Sequence, residues 1–167
     1  MDDAELRAEL ERYHPESYGW ALSCCARNRD EADEVLQIVY LKILAGRARF
    51  GGRATFKTWL FSVIRRTAID EWRRRVVRRL ALMSHEESGV RVAREEAADE
   101  AVERSQIRAM FCRALGALPR RQREVLQLVF YHDLSLQEAA DVMDVSLGSA
   151  RTHYDRGKKR LRHSWKH

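Results

Sequence analysis

The segment SLQEAADVMDVSLGSARTHYDRGKKRL, residues 135–161, decides the fold because it has the pattern of two helices joined by a tight turn. Ser135 is followed three residues later by Glu138, the spacing of a capping box, in which each side chain accepts from a free backbone N–H of the first turn. The apolar face that follows consists of Ala139, Ala140, Val142 and Met143. We therefore predict that a short helix begins at Ser135.

The second helix of this motif is predicted to begin at Ser146, after a turn in which Val145 is the buried anchor. Gly148 and Ala150 are expected to permit close packing on the first helix. In such a motif the start of the second helix enters the major groove of DNA, where polar and basic side chains contact base edges and phosphates. The candidate DNA-binding residues are Ser149, Arg151, Thr152, His153, Arg156 and Lys158. The alternative is a surface helix with solvated charges, which is what Lys and Arg clusters alone usually indicate.

The chain has 167 residues and a formal net charge of +6, which fits a nucleic-acid partner. That charge is unevenly distributed: −5 over residues 1–46, +9 over 47–82, −4 over 83–105, 0 over 106–149 and +6 over 150–167. Two basic blocks are therefore separated by an acidic stretch.

This distribution predicts two small domains, residues 1–80 and 105–167, joined by a flexible acidic linker at 81–104. With two prolines, eight glycines and no sustained alternation of period two, the chain is predicted to be all-α. The second domain opens with a predicted helix near Ser105–Leu115, and Pro119 suits the first turn of the next helix. The buried face of that next helix is predicted to be Val125, Leu126, Leu128 and Val129.

In the first domain, helical patterns run from about Tyr13 to Arg27 and from about Glu31 to Ala45. The core side of the second pattern is predicted to be Ala32, Val35, Leu36, Val39, Tyr40, Ile43 and Leu44. Its other side mixes carboxylates with an amide and apolar groups, which is typical of a docking surface. The predicted docking residues are Asp33, Glu34, Gln37, Ile38 and Leu41. The alternative is a helix buried on two sides within its own domain.

The loop Arg47–Arg53 (RARFGGR) combines adjacent glycines, three arginines and Phe50. An exposed aromatic ring beside arginines can stack an unpaired base while the guanidinium groups neutralise phosphate. Phe50 is the predicted exposed stacking residue, whereas Trp59, Phe61 and Trp72 are expected to be mostly core.

A third helix is predicted from about Thr55, and it runs into the arginine-rich stretch 73–79. Its apolar ridge at four-residue spacing is predicted to be Phe56, Leu60, Ile64, Ala68 and Trp72. The basic side chains that project elsewhere are Lys57, Arg65, Arg66 and Arg73.

Several classes of function are disfavoured by the residues. Cys24, Cys25 and Cys112 lack the spacing of a metal site, and their odd number argues against a disulfide framework, so we expect reduced core residues, no metal and no cofactor. Asp70-Glu71 is a lone acidic pair without a ligand cluster or nucleophile, so an enzyme is not expected. There is no signal-peptide pattern and no apolar run near the roughly 20 residues of a membrane helix, so we expect a cytoplasmic protein.

Three segments carry a resemblance to a known family. The stretch LPRRQREVLQLVFYHDLSLQEAADVMDVSLGSARTHYDRGKKRL resembles region 4 of the bacterial sigma factors, although the DNA-binding domain of LuxR-type regulators has a similar pattern. The N-terminal half distinguishes these two interpretations. DEADEVLQIVYLKIL resembles sigma region 2.2, and FKTWLFSVIRRTAIDEWRRR resembles regions 2.3 and 2.4 of the extracytoplasmic-function (ECF) group, whose members keep only regions 2 and 4.

The resemblance implies a non-catalytic subunit that binds core RNA polymerase and directs initiation at promoters. Its polymerase partners would be the clamp helices of the largest subunit and the flap, and an anti-sigma factor usually covers the family's binding surfaces. By analogy, the −35 element would be contacted through Ser149 and Arg151 with His153 and Arg156 beside them. The −10 element would be contacted through Phe50, Arg53, Lys57, Arg65, Arg66, Asp70 and Arg73. Arg66 and Asp155 depart from the residues that many family members have, so the promoter sequence is not transferable from relatives.

Overall fold

The computed structural model describes residues 1–83 and 102–166, and all regular structure within these ranges is helical, as predicted. The chain divides into two compact units, Met1–Glu95 and Glu96–His167. Most of the predicted linker, residues 84–101, lies outside the described residues. No described helix combines the length and the apolar character needed to cross a membrane.

The first unit contains four helices. They are α1 (Asp3–Arg12), α2 (His14–Cys24), α3 (Arg29–Leu44) and α4 (Phe56–Met83). Sequence reasoning missed α1, although its capping box is visible as Asp2 and Glu5, each of which accepts from the other's backbone N–H. Helix α2 ends at Cys24 and not at the predicted Arg27, because Ala26 and Arg27 adopt positive φ angles of 51° and 63°.

Helices α2, α3 and α4 pack against one another around a core of large apolar side chains. Trp20 is fully buried, its ring is stacked on Phe61 with 5.8 Å between centroids, and its indole N–H donates to the Phe61 carbonyl at 3.1 Å. The other core residues include Val35, Val39, Leu60 and Ile64. Burial of this cluster is the main stabilising contribution within the unit.

Two residues predicted as core are exposed. Successive residues of an α-helix are about 100° apart, so four-residue spacing drifts by about 40° per step. After four such steps from Phe56, Trp72 has turned away from the buried face and is 59% exposed, while Glu71 takes the inward position. Leu44 on α3 likewise departs from the direction of Val35 and Val39 and is 48% exposed.

Helix α4 has 28 residues and spans about 42 Å at 1.5 Å per residue. Ion pairs connect it to the neighbouring helices near both ends of its packed part, Lys57 to Glu16 at 2.7 Å and Arg75 to Glu31. The helix continues to Met83, beyond the predicted domain end at residue 80. Residues 77–83, which form its last two turns, are exposed.

The described part of the second unit contains four α-helices and one π-helical segment. They are α5 (Val102–Gly116), α6 (Arg120–Leu126), a π-helical segment (Gln127–Tyr131), α7 (Leu136–Met143) and α8 (Leu147–Ser164). Pro119 is the N-cap of α6 and not part of its first turn. The core contains the predicted Val125, Leu126 and Leu128, whereas Val129 is only half-buried.

The π-helical segment was not predicted from the sequence. Such segments widen one turn of a helix and change the direction of the side chains that follow. Phe130 and Tyr131 project to the surface here, where they are 58% and 54% exposed. The Phe130 ring stacks on that of Tyr154 on α8, with 5.9 Å between ring centroids. The ring centroid of Tyr131 is 6.3 Å from that of Phe111 on α5.

The glycine that permits close helix packing is Gly157 and not Gly148. A Cβ atom at Gly157 would lie 2.9 Å from Cδ1 of Leu126 on α6 and 3.4 Å from the Gln122 carbonyl oxygen. At the exposed Gly148 the nearest atom to a Cβ would be Ser146 Oγ, at 3.9 Å. The missing side chain of Gly157 therefore sets the approach of α8 to α6.

Candidate nucleic-acid and polymerase-binding surfaces

The helix-turn-helix is formed by α7 and α8, and its caps are those predicted. The backbone N–H of Glu138 donates to Ser135 Oγ at 3.1 Å, and the N–H of Ser135 donates to Glu138 Oε1 at 3.2 Å. The N–H of Ser149 donates to Ser146 Oγ at 3.1 Å, which starts α8. Asp144 ends α7 in the left-handed conformation with φ 55°, and Val145 is half-buried. These local bonds satisfy the free backbone groups at the turn and define its direction.

The solvent side of α8 carries an exposed, mainly basic surface, which we call the α8 face. It consists of Arg151, Thr152, Asp155, Arg156 and Lys159. At about 100° per residue these five side chains lie within about 140° of arc, opposite the buried Ala150 and Gly157. The surface is therefore available along the first turns of the second helix, which is the part of a helix-turn-helix that enters the major groove.

The remaining candidates on α8 lie at the margins of this face. The Ser149 hydroxyl accepts from the Ser146 hydroxyl at 3.0 Å and is committed in part to the cap. Lys158 is half-buried, with its ammonium 4.3 Å from the centroid of the Tyr154 ring. His153 is half-buried too, and burial together with the positive charges of Arg121 and Arg156 lowers its pKa. His153 is therefore a neutral hydrogen-bonding group at neutral pH.

In the first unit, three of the candidate residues on α4 share one side. Arg66 and Arg73 are seven residues apart, close to two full turns, and both are exposed. Asp70 lies between them and is half-buried, while Arg65 points to an adjacent side and is also half-buried. Two guanidinium groups and one carboxylate thus present hydrogen-bonding groups along one side of α4.

Lys57 is placed differently from these arginines. Its ammonium bonds to Glu16 on α2 at 2.7 Å, it is 17% exposed, and it lies 5.8 Å from the centroid of the Phe61 ring. This side chain therefore connects α4 to α2 and is not an exposed charge like Arg66 and Arg73. The partner could not be foreseen because it lies 41 positions earlier in the chain.

Phe50 is half-buried in an aromatic cluster, whereas the sequence predicts that it is exposed. Its ring centroid is 5.5 Å from that of Phe56 and 5.5 Å from that of Trp59, and Phe56 is 6.0 Å from Tyr13. The loop that carries Phe50 bends at Gly46 and Gly52, both with φ +73°, a conformation that glycine adopts without strain. Arg47, Arg49 and Arg53 are exposed on the same loop. The cluster holds the Phe50 ring in place and leaves part of it accessible.

The side of α3 on which docking is predicted faces solvent and is called the α3 face below. Asp33, Glu34, Gln37 and Leu41 are exposed, with Leu41 68% exposed, and Ile38 is half-buried. These residues lie opposite the buried side of α3, so the alternative of a helix buried on two sides is wrong. The exposed Leu44 extends the apolar part of the same side. A solvent-facing surface that mixes carboxylates with large apolar groups is suited to binding another protein.

Sequence reasoning also missed an apolar groove on the second unit. The groove has a volume of about 380 Å³, and the basic residues Lys158 and Arg162 contribute to its lining. Its other lining residues are Phe111, Leu115, Leu126, Gln127, Phe130, Tyr131 and Leu161. The adjacent aromatic residues Phe130 and Tyr131 are the sequence signal for it, but their outward direction depends on the π-helical segment.

Comparison with known proteins agrees with the two-unit organisation. Residues 10–78 match the family model for sigma-70 region 2, and residues 114–163 match the model for sigma-70 region 4. The region 2 match supports the sigma interpretation over that of a LuxR-type regulator, because it covers the N-terminal half, on which the choice depends.

Individual proteins show the same similarity. The chain is 31% identical over 153 residues to the ECF RNA polymerase sigma factor SigX of Bacillus subtilis, covering 90% of this chain and 78% of that protein. It is 34% identical over 133 residues to the ECF RNA polymerase sigma factor SigF of Caulobacter vibrioides, covering 79% and 67%. Its fold is similar to that of the Bartonella quintana sigma factor RpoE, solved in complex with the anti-sigma factor NepR. The TM-score is 0.73, with 22% identity and 97% coverage of both chains. The chain therefore belongs to the ECF sigma factors of the sigma-70 family, which direct RNA polymerase to promoters and are not enzymes.

Proposed function

We propose that this sigma factor binds core RNA polymerase through the α3 face and contacts two promoter elements through separate basic surfaces. The α8 face would bind the −35 element, and the arginine side of α4 with the Phe50 loop would bind the −10 element. The observation that carries the proposal is the α8 face, where Arg151, Thr152 and Arg156 are exposed on the second helix of a helix-turn-helix. Domain boundaries at 1–80 and 105–167, with a linker at 81–104, belong to the same proposal.

At the −35 element, the first turns of α8 enter the major groove. Arg151 reads base edges with its two parallel donors, while Ser149, Thr152 and Arg156 contact bases or the adjacent phosphates. His153 acts as a neutral donor or acceptor because its pKa is lowered. Lys158, at the margin, contributes positive charge near the backbone.

At the −10 element, the Phe50 loop captures an unpaired base. Extruding a base from the duplex costs a few kcal/mol, and stacking on an aromatic ring offsets about 1–3 kcal/mol of that cost. Arg53, Arg66 and Arg73 neutralise phosphates, and Asp70 accepts hydrogen bonds. Lys57 supports this surface indirectly by holding α4 on α2 through Glu16.

The proposed polymerase-binding surfaces are the α3 face and the apolar groove of the second unit. The α3 face offers carboxylates and Leu41 to the clamp helices of the largest subunit, and the apolar groove on the second unit offers its aromatic walls to the flap. These contacts imply a cytoplasmic location. An anti-sigma factor that covers one or more of these surfaces is the proposed inhibitor, supported by the similar fold that was solved with NepR.

The polymerase contact is tested by co-purification of the full chain with bacterial core RNA polymerase. Glu34→Lys reverses one exposed charge of the α3 face and is expected to abolish co-elution. Glu11→Lys makes the same change at an exposed position on α1 and is expected to leave it intact. Unchanged co-elution of the Glu34 variant would exclude the α3 face as the docking surface.

The promoter contact is tested by transcription from genomic promoters with the reconstituted holoenzyme. The wild-type chain is expected to give discrete 5′ ends with shared upstream sequences. Arg151→Ala is expected to lose about 1–3 kcal/mol of discrimination at the upstream element. If the wild-type holoenzyme starts at no genomic promoter, the proposed function is wrong.

A further inference from the structure

Asp155 is the only carboxylate among the 18 residues of α8, all of which are described. It is exposed, and at about 100° per residue it lies near the centre of the α8 face, between the directions of Arg151 and Lys159. A surface that binds DNA through positive charge thus has a negative charge in its middle. The sigma function alone does not account for this residue.

A carboxylate at this position has possible partners on its own helix. Arg151 and Lys159 are four residues away on either side, and such neighbours have Cβ atoms about 5–6 Å apart. Nevertheless, among the side chains that the structure describes, the Asp155 carboxylate has no ion pair and no hydrogen bond. The carboxylate is therefore free to meet whatever the α8 face binds.

In contact with DNA, the Asp155 carboxylate is selective because it accepts hydrogen bonds and cannot donate them. A carboxylate is repelled by phosphates, and when it loses its water it needs a hydrogen-bond donor. Base edges in the major groove offer donors only at the amino groups of cytosine and adenine, whereas guanine and thymine present acceptors there. A base without an amino group opposite Asp155 would leave a desolvated charge without a partner. Such a penalty discriminates against wrong sites as effectively as a new attractive contact favours right ones.

We propose that Asp155 is a specificity-determining residue that requires a base with an exocyclic amino group, cytosine above all, beside the base read by Arg151. The inference rests on the proposed binding of the α8 face to the −35 element and adds a preference at one position of that element. Asp155 lowers affinity for DNA in general and raises the contrast between promoters.

The inference is tested by selecting bound sequences from a duplex library randomised at the upstream element, using the full chain in holoenzyme with bacterial core RNA polymerase. The wild-type chain is expected to disfavour guanine and thymine at one position on the order of tenfold, the range of a single base contact. Asp155→Asn is expected to shift that position towards adenine, since an amide pairs with both the amino group and N7. Asp155→Ala is expected to make the position indifferent and to strengthen binding to unselected DNA.

Asp133→Asn is the matched control. Asp133 is also exposed in the second unit but lies outside α8, and asparagine tolerates its positive φ of 56°. It is expected to remove one negative charge without changing any base preference. This separates an effect of overall charge from an effect at the α8 face.

The outcomes distinguish the inference from the function on which it rests. If Arg151→Ala alters the selected sequences and neither Asp155 variant does, Asp155 is a solvated helix residue and the inference is wrong. If Arg151→Ala also has no effect, the α8 face is not the reading surface, and both fail together. A wild-type holoenzyme that selects no sequence would likewise overturn both.

Discussion

Replacing Gly157 with alanine tests the contact that sets α8 against α6. In the middle of a helix, Gly→Ala normally stabilises by about 1 kcal/mol through helix propensity. Here the added Cβ would lie 2.9 Å from Cδ1 of Leu126 and 3.4 Å from both Cβ and the carbonyl oxygen of Gln122. Leu126 is only 2% exposed, so it cannot swing into solvent. Overpacking of this kind costs about 1–3 kcal/mol, which outweighs the gain in propensity and predicts a net destabilisation of about 1 kcal/mol.

The same helix provides the control. At Gly148 a new Cβ would make only an ordinary contact with Ser146 Oγ at 3.9 Å, so Gly148→Ala is expected to stabilise by about 0.5 kcal/mol. Native-state hydrogen exchange of the α8 amides in the full chain resolves these effects without assuming that both units unfold together. Since 1.4 kcal/mol corresponds to a factor of ten, exchange should be about fivefold faster for Gly157→Ala and about twofold slower for Gly148→Ala. Equal or greater protection in the Gly157 variant would refute the close approach.

Three other outcomes are expected. Ser135→Ala removes the cap of α7 and should cost about 1 kcal/mol, measured as faster exchange of the α7 amides, while Ser135→Thr should retain most of the protection. Burial and the nearby Glu31 raise the pKa of Cys25 to about 11, so alkylation at neutral pH should modify Cys25 more slowly than the half-exposed Cys24 and Cys112; equal rates by peptide mass spectrometry would contradict this. Folding lowers the pKa of His153, so as the pH falls the imidazole is protonated first in the unfolded chain. The free energy of unfolding is therefore greatest above about pH 6.5 and decreases below it. Chemical denaturation above and below about pH 6.5 should show a smaller decrease for His153→Gln than for the wild-type chain.

Features that depend on local chemistry were predictable from the sequence. The capping box at Ser135 and the cap at Ser146 involve residues three positions apart, so the spacing alone identifies them. The exposed side of α3 followed from helical periodicity, because carboxylates and Gln37 occupy the positions opposite Val35 and Val39.

Features that depend on phase or on distant partners were not predictable in the same way. Extending a four-residue ridge to Trp72 ignored the drift of about 40° per step, and the same drift places Leu44 in solvent. The ion pair of Lys57 with Glu16 could not be predicted, because Glu16 lies on another helix. The close approach at Gly157 and the direction of Phe130 both require the packed unit, so neither is visible in the composition of its own segment.

The π-helical segment at Gln127–Tyr131 makes the length of this stretch as important as its residues. A wide turn accommodates one residue more than an α-helical turn. Deleting a single residue there would allow an ordinary α-helical turn to close, and the residues of the segment would no longer keep their present directions. The Phe130–Tyr154 stack and one wall of the groove would then be lost without any change in hydrophobicity. Insertions and deletions, more than substitutions, are therefore the changes to which this groove is most vulnerable.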